Sequence, residues 1–210
     1  MPIRGVVFDM DGVLIDAKDW HFEALNRALS LFGYAINRYD HLVTFDGLPT
    51  RKKLEMLTLE RGLPRALHGF LNDLKQVYTM EIVNARCKPV FQHEYALSSL
   101  KATGFRLAVA SNAVRKSVEA MLERANLLPY LDVVLSNQDV QKAKPDPEIY
   151  LTAFERLGLP PHECLVVEDN ANGIAAAQAS GAHLMVVGSV FDVTYHNLLA
   201  HVRQGERSAA

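Results

Sequence analysis

Short, unbroken apolar runs limit the folds open to this chain more than any other feature. They fall at residues 5–8, 107–110, 133–135, 164–167 and 184–187, and most are rich in valine or leucine. A strand with one wet face alternates apolar and polar residues. An unbroken run suits a strand covered on both faces, as in a parallel sheet packed between helices. The stretches between the runs read as helices. One carries Leu97, Leu100 and Lys101 and closes at Gly104, and residues 114–125 place Val118, Met121 and Leu122 at helical spacing. Residues 147–157 open on Pro147 and stop before Gly158, which suits a helix start and stop, and an alanine-rich stretch at 172–180 precedes Gly181. Strands alternating with helices predict an α/β fold whose core is a Rossmann-like parallel sheet.

Residues 17–88 break that rhythm, because they show helical periodicity and no buried-strand run. Trp20, Ala24, Leu25, Ala28, Leu29 and Phe32 mark one apolar face, ended by Gly33. Leu54, Met56, Leu57 and Leu59 mark a second, ending near Gly62, and Leu67, Phe70, Leu71, Leu74, Val77 and Tyr78 a third. The simplest organisation is an α/β core domain, residues 1–16 and 89–210, interrupted by an inserted helical domain, residues 17–88, that folds over the sheet. The chain has no internal repeat, and its tail, residues 207–210, is expected to fray.

At 210 residues the chain is long enough to bury a substantial core. A formal net charge of −2 offers no global attraction to nucleic acid or to an anionic membrane. No apolar run reaches membrane-spanning length, and the first one is soon broken by Asp9 and Asp11, unlike a signal peptide. Cys87 and Cys164 are too sparse for a disulfide framework, and Cys164 reads as a small buried residue. A soluble cytoplasmic protein is expected, with no nucleic-acid or membrane partner; nothing in the sequence sets an oligomeric state.

In open parallel sheets, ligands bind beyond the carboxyl ends of the strands. Each of the first four runs leads straight into polar residues: 5–8 into Asp9, Met10, Asp11 and Gly12; 107–110 into Ser111 and Asn112; 133–135 into Ser136 and Asn137, with Lys144 beyond; and 164–167 into Glu168, Asp169 and Asn170. Carboxylates, a hydroxyl, an amide and an ammonium thus converge on one crevice. Those residue types suit phosphoryl transfer. Asp9 and Asp169, with or without Glu168, supply the hard oxygens magnesium prefers. An aspartate can carry a phosphoryl group covalently, which divides one hard displacement into two easier ones. Lys144 offsets the crowded carboxylates, Ser111 and backbone amides donate to phosphoryl oxygens, and Asp11 is close enough to Asp9 to serve as acid and base.

The run Asp9-Met10-Asp11-Gly12-Val13-Leu14-Ile15-Asp16 resembles the first motif of the haloacid dehalogenase-like phosphatase superfamily. Ser111-Asn112 resembles its second motif, Lys144-Pro145-Asp146-Pro147 its third, and Val166-Val167-Glu168-Asp169-Asn170 with Gly173-Ile174 its fourth, in matching order across nearly the whole chain. The helical insertion resembles the small helical cap of the phosphoglycolate phosphatase and beta-phosphoglucomutase-like members. The resemblance implies Asp9 as nucleophile and Asp11 as acid/base. It implies magnesium held by Asp9, the Asp11 backbone carbonyl and Asp169, with Glu168 a further candidate ligand, and phosphate held by Ser111, Asn112 and Lys144. It also points to His21 and Arg51 as cap residues that meet the substrate.

Each residue has a plainer reading. Asp9 and Asp11 alone suit a capped turn, Ser111-Asn112 a helix cap, Lys144 or its neighbour Lys142 a solvated loop, and the basic triplet at 51–53 an ordinary surface. The company of all the motifs favours an enzyme over a non-catalytic binding protein. The expected substrate is a small phosphorylated metabolite such as a sugar phosphate. The rival is a beta-phosphoglucomutase-like phosphosugar mutase, disfavoured because Ala17 stands where the mutase has a threonine and Tyr78-Thr79-Met80 lacks a lysine for a distal phosphate.

Overall fold

The first apolar run forms strand β1 (Gly5–Phe8), buried along its whole length in the computed structural model, which describes residues 2–45 and 47–208. The chain continues through α1 (Lys18–Ser30), α2 (Arg38–Asp40), α3 (Thr50–Arg61), α4 (His68–Arg86) and α5 (Phe91–Ala102). Then follow β2 (Arg106–Ala110), α6 (Arg115–Arg124), β3 (Val133–Leu135), α7 (Glu148–Leu157), β4 (Cys164–Glu168), α8 (Ala171–Ser180), β5 (His183–Val186) and α9 (Tyr195–Ser208). The five strands make one sheet in the order β3-β2-β1-β4-β5, with every neighbouring pair parallel. Two compact units result: Met1–Asp16 with Lys88–Ala210, and Ala17–Cys87.

Why the runs are unbroken is visible in the packing. Val7, Ala108, Ala110 and Val166 pack against Ile149, Ala153 and Phe154 of α7 and Ala176 and Ala177 of α8. Their alternates Val6, Phe8, Leu107, Val109, Leu165 and Val167 point the other way and are buried as well. Helix α5 packs on β2 and α9 on β5. Each fully buried Val, Leu or Phe contributes about 1.5–3 kcal/mol, so apolar residues dominate both faces of the central strands.

Register then sets the site. Phe8 lies opposite Val109 in β2 and Val167 in β4, so the segments after these three strands leave the sheet at one level. The chain runs from β1 outward through β2 and β3, then returns to β4 and β5 on the other side, and strand order reverses beside β1. Such a reversal opens a crevice at the carboxyl ends of the strands. The tail differs from expectation: α9 carries Arg207 and Ser208, while Ala209 and Ala210 lie outside the described residues.

The helical unit gathers Leu25, Ala28 and Leu29 of α1, Leu54 and Leu57 of α3, and Leu71 of α4 around Phe45 and Leu63. Gly62 closes α3 in the left-handed region at φ 71°, and its N–H donates to the Leu57 and Thr58 carbonyls. Hydropathy misplaces part of the buried face. Leu59, Phe70 and Val77 are exposed by 79%, 55% and 54%. The buried row of α4 is Leu71, Lys75, Thr79 and Val83, spaced four apart, with polar residues in its middle. No described helix is long and apolar enough to cross a membrane.

Candidate active site

Asp9 is the first residue past β1, and its N–H still donates to the Val167 carbonyl at 2.9 Å. The chain then winds around the Met10 carbonyl, which accepts from the N–H groups of Val13, Leu14 and Ile15. Gly12, at φ 89°, makes this reversal in a conformation side chains resist, which keeps Asp9 and Asp11 at the strand end. Ser111 follows β2; its N–H donates to the Leu135 carbonyl, and its buried hydroxyl accepts from the Ala113 N–H. The Asn112 side chain accepts from the Lys144 N–H at 3.2 Å, so the second and third motifs are tied together. The Glu148 carboxylate accepts from the N–H groups of Gln141 and Lys142 and fastens the same loop to the start of α7. The Lys144–Pro145 peptide bond is cis.

Lys144 is the hub. Its Nζ donates to Asp9 Oδ1 at 2.6 Å and to Glu168 Oε1 at 2.7 Å, and its side chain is only 2% exposed. Lys142, by contrast, is 72% exposed and stands 3.7 Å from Asp146. Glu168 ends β4 inside the protein. Its Oε1 also accepts from the Tyr150 hydroxyl at 2.7 Å, while Oε2 accepts from the N–H groups of Asp169 at 2.9 Å and Asn170 at 3.3 Å. Asn170 caps α8, its side chain accepting from the Gly173 N–H.

Burial pushes the Asp9 carboxyl well above the usual carboxylate range; Lys144 pulls it down, but Glu168, Asp11 and Asp169 push it up again. Glu168 is equally starved of water, yet it lies below its ordinary value, because Lys144, the Tyr150 hydroxyl and the Asp169 N–H all favour its charged form. Lys144 lies above its ordinary value: burial disfavours its charge, and Asp9 and Glu168 more than restore it. Burial, with Glu168 and Asp9 beside it, raises the Tyr150 hydroxyl well above its ordinary value. With Asp9, Asp11, Glu168 and Asp169 grouped beside one lysine, carboxyl groups are in surplus over ammonium groups here.

That surplus suits a divalent cation. Asp9, Glu168 and Asp169 each present a carboxylate oxygen within 4.8 Å of the others. Opposite ligands on one magnesium stand about 4.2 Å apart, and magnesium selects hard oxygens of this type. The cluster thus offers donors of the kind this metal takes, at a spacing close to that span.

His21 and Arg51 lie in the other unit. His21 Nδ1 is 3.1 Å from Lys75 Nζ, and Arg51, with a side chain 88% exposed, pairs with Glu55 one turn along α3. Two functional candidates escape a reading of residue types. Tyr150 looks like one more apolar residue of α7, and Lys75 like a solvated lysine. Lys75 had a signal, since it continues the row begun by Leu71, but Tyr150 had none before the fold was known.

The family described as haloacid dehalogenase-like hydrolase matches residues 6–187. A phosphorylated carbohydrates phosphatase of Thermotoga maritima is 31% identical over 85% of this chain and 82% of its own length. A phosphoglycolate phosphatase of Nitrosospira multiformis is 32% identical over 89% of this chain and 84% of its own. Among solved structures, a beta-phosphoglucomutase of Clostridium difficile superposes with a TM-score of 0.83 over 96% of this chain and 98% of its own; at 18% identity that likeness speaks for the fold.

Proposed function

The chain belongs to the haloacid dehalogenase-like hydrolases, and from that premise we propose that it is a magnesium-dependent phosphatase that cleaves small phosphoric monoesters through a phosphorylated Asp9. One observation carries the reading: a buried lysine bridges Asp9 and Glu168 at a point where Asp169 adds a third carboxylate. Asp9, the Asp11 backbone carbonyl and Asp169 are the ligands we assign to magnesium, with Glu168, whose oxygens already accept five hydrogen bonds, anchoring the lysine instead. When bound, the cation neutralises phosphate charge that would otherwise repel an attacking carboxylate.

The residues divide the work as follows. Lys144, Ser111 and Asn112 hold the phosphoryl oxygens in line with Asp9. An Asp9 carboxylate oxygen bonds to phosphorus as the bond to the ester oxygen breaks, and Asp11 gives that leaving oxygen its proton. Asp11, now ionised, takes a proton from water; the hydroxide oxygen bonds to phosphorus, inorganic phosphate leaves and the Asp9 carboxylate is restored. Residues 17–87 supply selectivity, with His21 and Arg51 contacting the rest of the substrate. The two relatives are named for phosphorylated carbohydrates and phosphoglycolate, which supports a small phosphorylated metabolite as substrate.

The mutase reading gains one supporting observation: Lys75, a buried lysine three positions before Tyr78, stands beside His21 in the helical unit. Two measurements separate the readings. Phosphate release is followed with magnesium across sugar phosphates, nucleotides, phosphoglycolate, polyol phosphates and p-nitrophenyl phosphate. Conversion of glucose 1-phosphate to 6-phosphate is followed with a bisphosphate activator. Hydrolysis is expected to dominate, and Asp9→Asn to lower it by about a thousandfold or more while the protein stays folded. Full activity in Asp9→Asn would remove Asp9 as nucleophile.

A further inference from the structure

We propose that Tyr150 is a positioning residue for phosphoryl transfer, fixing Lys144 through the Glu168 carboxylate while Asp9 changes charge. The inference rests on the phosphatase reading and adds a residue to it. Tyr150 stands in the first turn of α7, fully buried. Its ring packs within the sheet core beside Ile149, Ala153 and Phe154. A phenylalanine would fill nearly the same volume, and a hydroxyl taken out of water is costly unless it is bonded. Here it is bonded to an anion, donating to Glu168 Oε1 at 2.7 Å, and the ring face lies 4.6 Å from Lys144 Nζ.

The consequence is rotational. Backbone N–H groups of Asp169 and Asn170 pin Glu168 Oε2. A carboxylate held at one oxygen still pivots about it; one held at both does not. Lys144 also bonds Oε1, but Lys144 is shared with Asp9 Oδ1. When Asp9 takes a phosphoryl group, its carboxylate charge moves onto the phosphate and that half of the lysine's pairing weakens. Glu168 then remains as the fixed partner, and the Tyr150 hydroxyl keeps Oε1 where Lys144 can use it. The lysine stays in place for both displacements.

Wild type, Tyr150→Phe, Glu168→Gln and the double variant are compared for kcat and KM with magnesium and p-nitrophenyl phosphate, alongside the phosphomonoester ranked first in the screen. Tyr150→Phe is expected to lose about tenfold or more in kcat, since small misplacements near the reacting atoms cost that much. KM should stay within about twofold, the pattern of an interaction that matters in the transition state. Added to Glu168→Gln, which removes the anion that the hydroxyl holds, the same substitution should cost less than it does in the wild type, because both act through the one side chain. Wild-type kcat in Tyr150→Phe, a loss confined to KM, or losses that multiply in the double variant would overturn the inference. Should Glu168→Gln not fold, the split between kcat and KM in Tyr150→Phe decides alone. A wild type that releases phosphate from no ester would instead overturn the phosphatase reading, so the two failures are told apart.

Discussion

Gly173→Ala pits a local preference against the site. Gly173 lies in the first turn of α8, where alanine is favoured over glycine in a helix by up to about 1 kcal/mol. A Cβ at this position, however, would land on the carboxyl group of Glu168. That group is at the end of a side chain, but it cannot swing aside freely, because Lys144, Tyr150 and the Asp169 N–H hold it. Displacing it leaves a buried lysine and a buried hydroxyl short of partners. Breaking a buried pair costs about 3–5 kcal/mol, and the lower end applies because Lys144 keeps Asp9. With the helix preference subtracted, the variant should lose about 2 kcal/mol, which lowers the urea midpoint by about 1 M for a slope near the middle of the usual range. Gly69→Ala is the control: Gly69 lies in α4, a Cβ there meets nothing within 4 Å, and stability should hold or rise. Far-UV circular dichroism follows both transitions, and phosphate release should fall in Gly173→Ala alone. A Gly173→Ala protein as stable and as fast as wild type would refute the placement of the Glu168 carboxylate.

Two further expectations concern the metal and acid. Magnesium should raise the unfolding temperature of the wild type, by the equivalent of about 2.7 kcal/mol at a hundred times its dissociation constant, and Asp169→Asn should abolish the rise; an undiminished rise would remove Asp169 from the ligand set. Asp139 accepts from the N–H and hydroxyl of Ser136 and pairs with Arg115 and Arg156. Burial alone would raise its carboxyl, but these partners hold it below its ordinary 3.8. The unfolded chain then takes up the proton first, so the stabilisation is present above about pH 4 and is lost as pH falls through the lower folded value. Asp139→Asn should be less stable at pH 7 and should close the gap to wild type on acidification; a gap that stays constant with pH would count against the pairing.

The sheet was legible because burial on both faces leaves a mark that single residues carry: valine and leucine without interruption. The strand ends were legible because polar residues cut those runs off at the place where the backbone leaves the core. Asp9, Ser111 and Asp169 could therefore be named as candidates from the sequence, and Lys144 by its Lys-Pro-Asp context. What the sequence could not show was who holds them. Tyr150 has the period of a core residue and is one, since its ring packs in the core while its hydroxyl serves the site. Glu168 is indistinguishable by type from a metal ligand, and its bonds to Lys144 and Tyr150 emerge only when α7 is laid against β4. In α4, hydropathy picks out Phe70 and Val77, whereas burial follows the row through Lys75 and Thr79, because a helix buries positions, whatever residues occupy them.

These facts bear on how a site assembled from loops becomes rigid enough for chemistry. Asp9 and Asp169 each stand one residue past a strand, so the sheet fixes them almost directly. Lys144 is different: eight residues lie between it and the end of β3 at Leu135, and no strand carries it. Its loop is held by side chains instead, among them Asn112 at the Lys144 backbone, Glu148 at the N–H groups of Gln141 and Lys142, and Glu168 at the ammonium itself. Glu168 is the last residue of β4, in register with Val186, and so belongs to the sheet. The lysine thus borrows the rigidity of a strand through one carboxylate. A site organised this way should tolerate changes in the exposed loop around Lys142 far better than any change, however small, at Glu168, Tyr150 or Gly173.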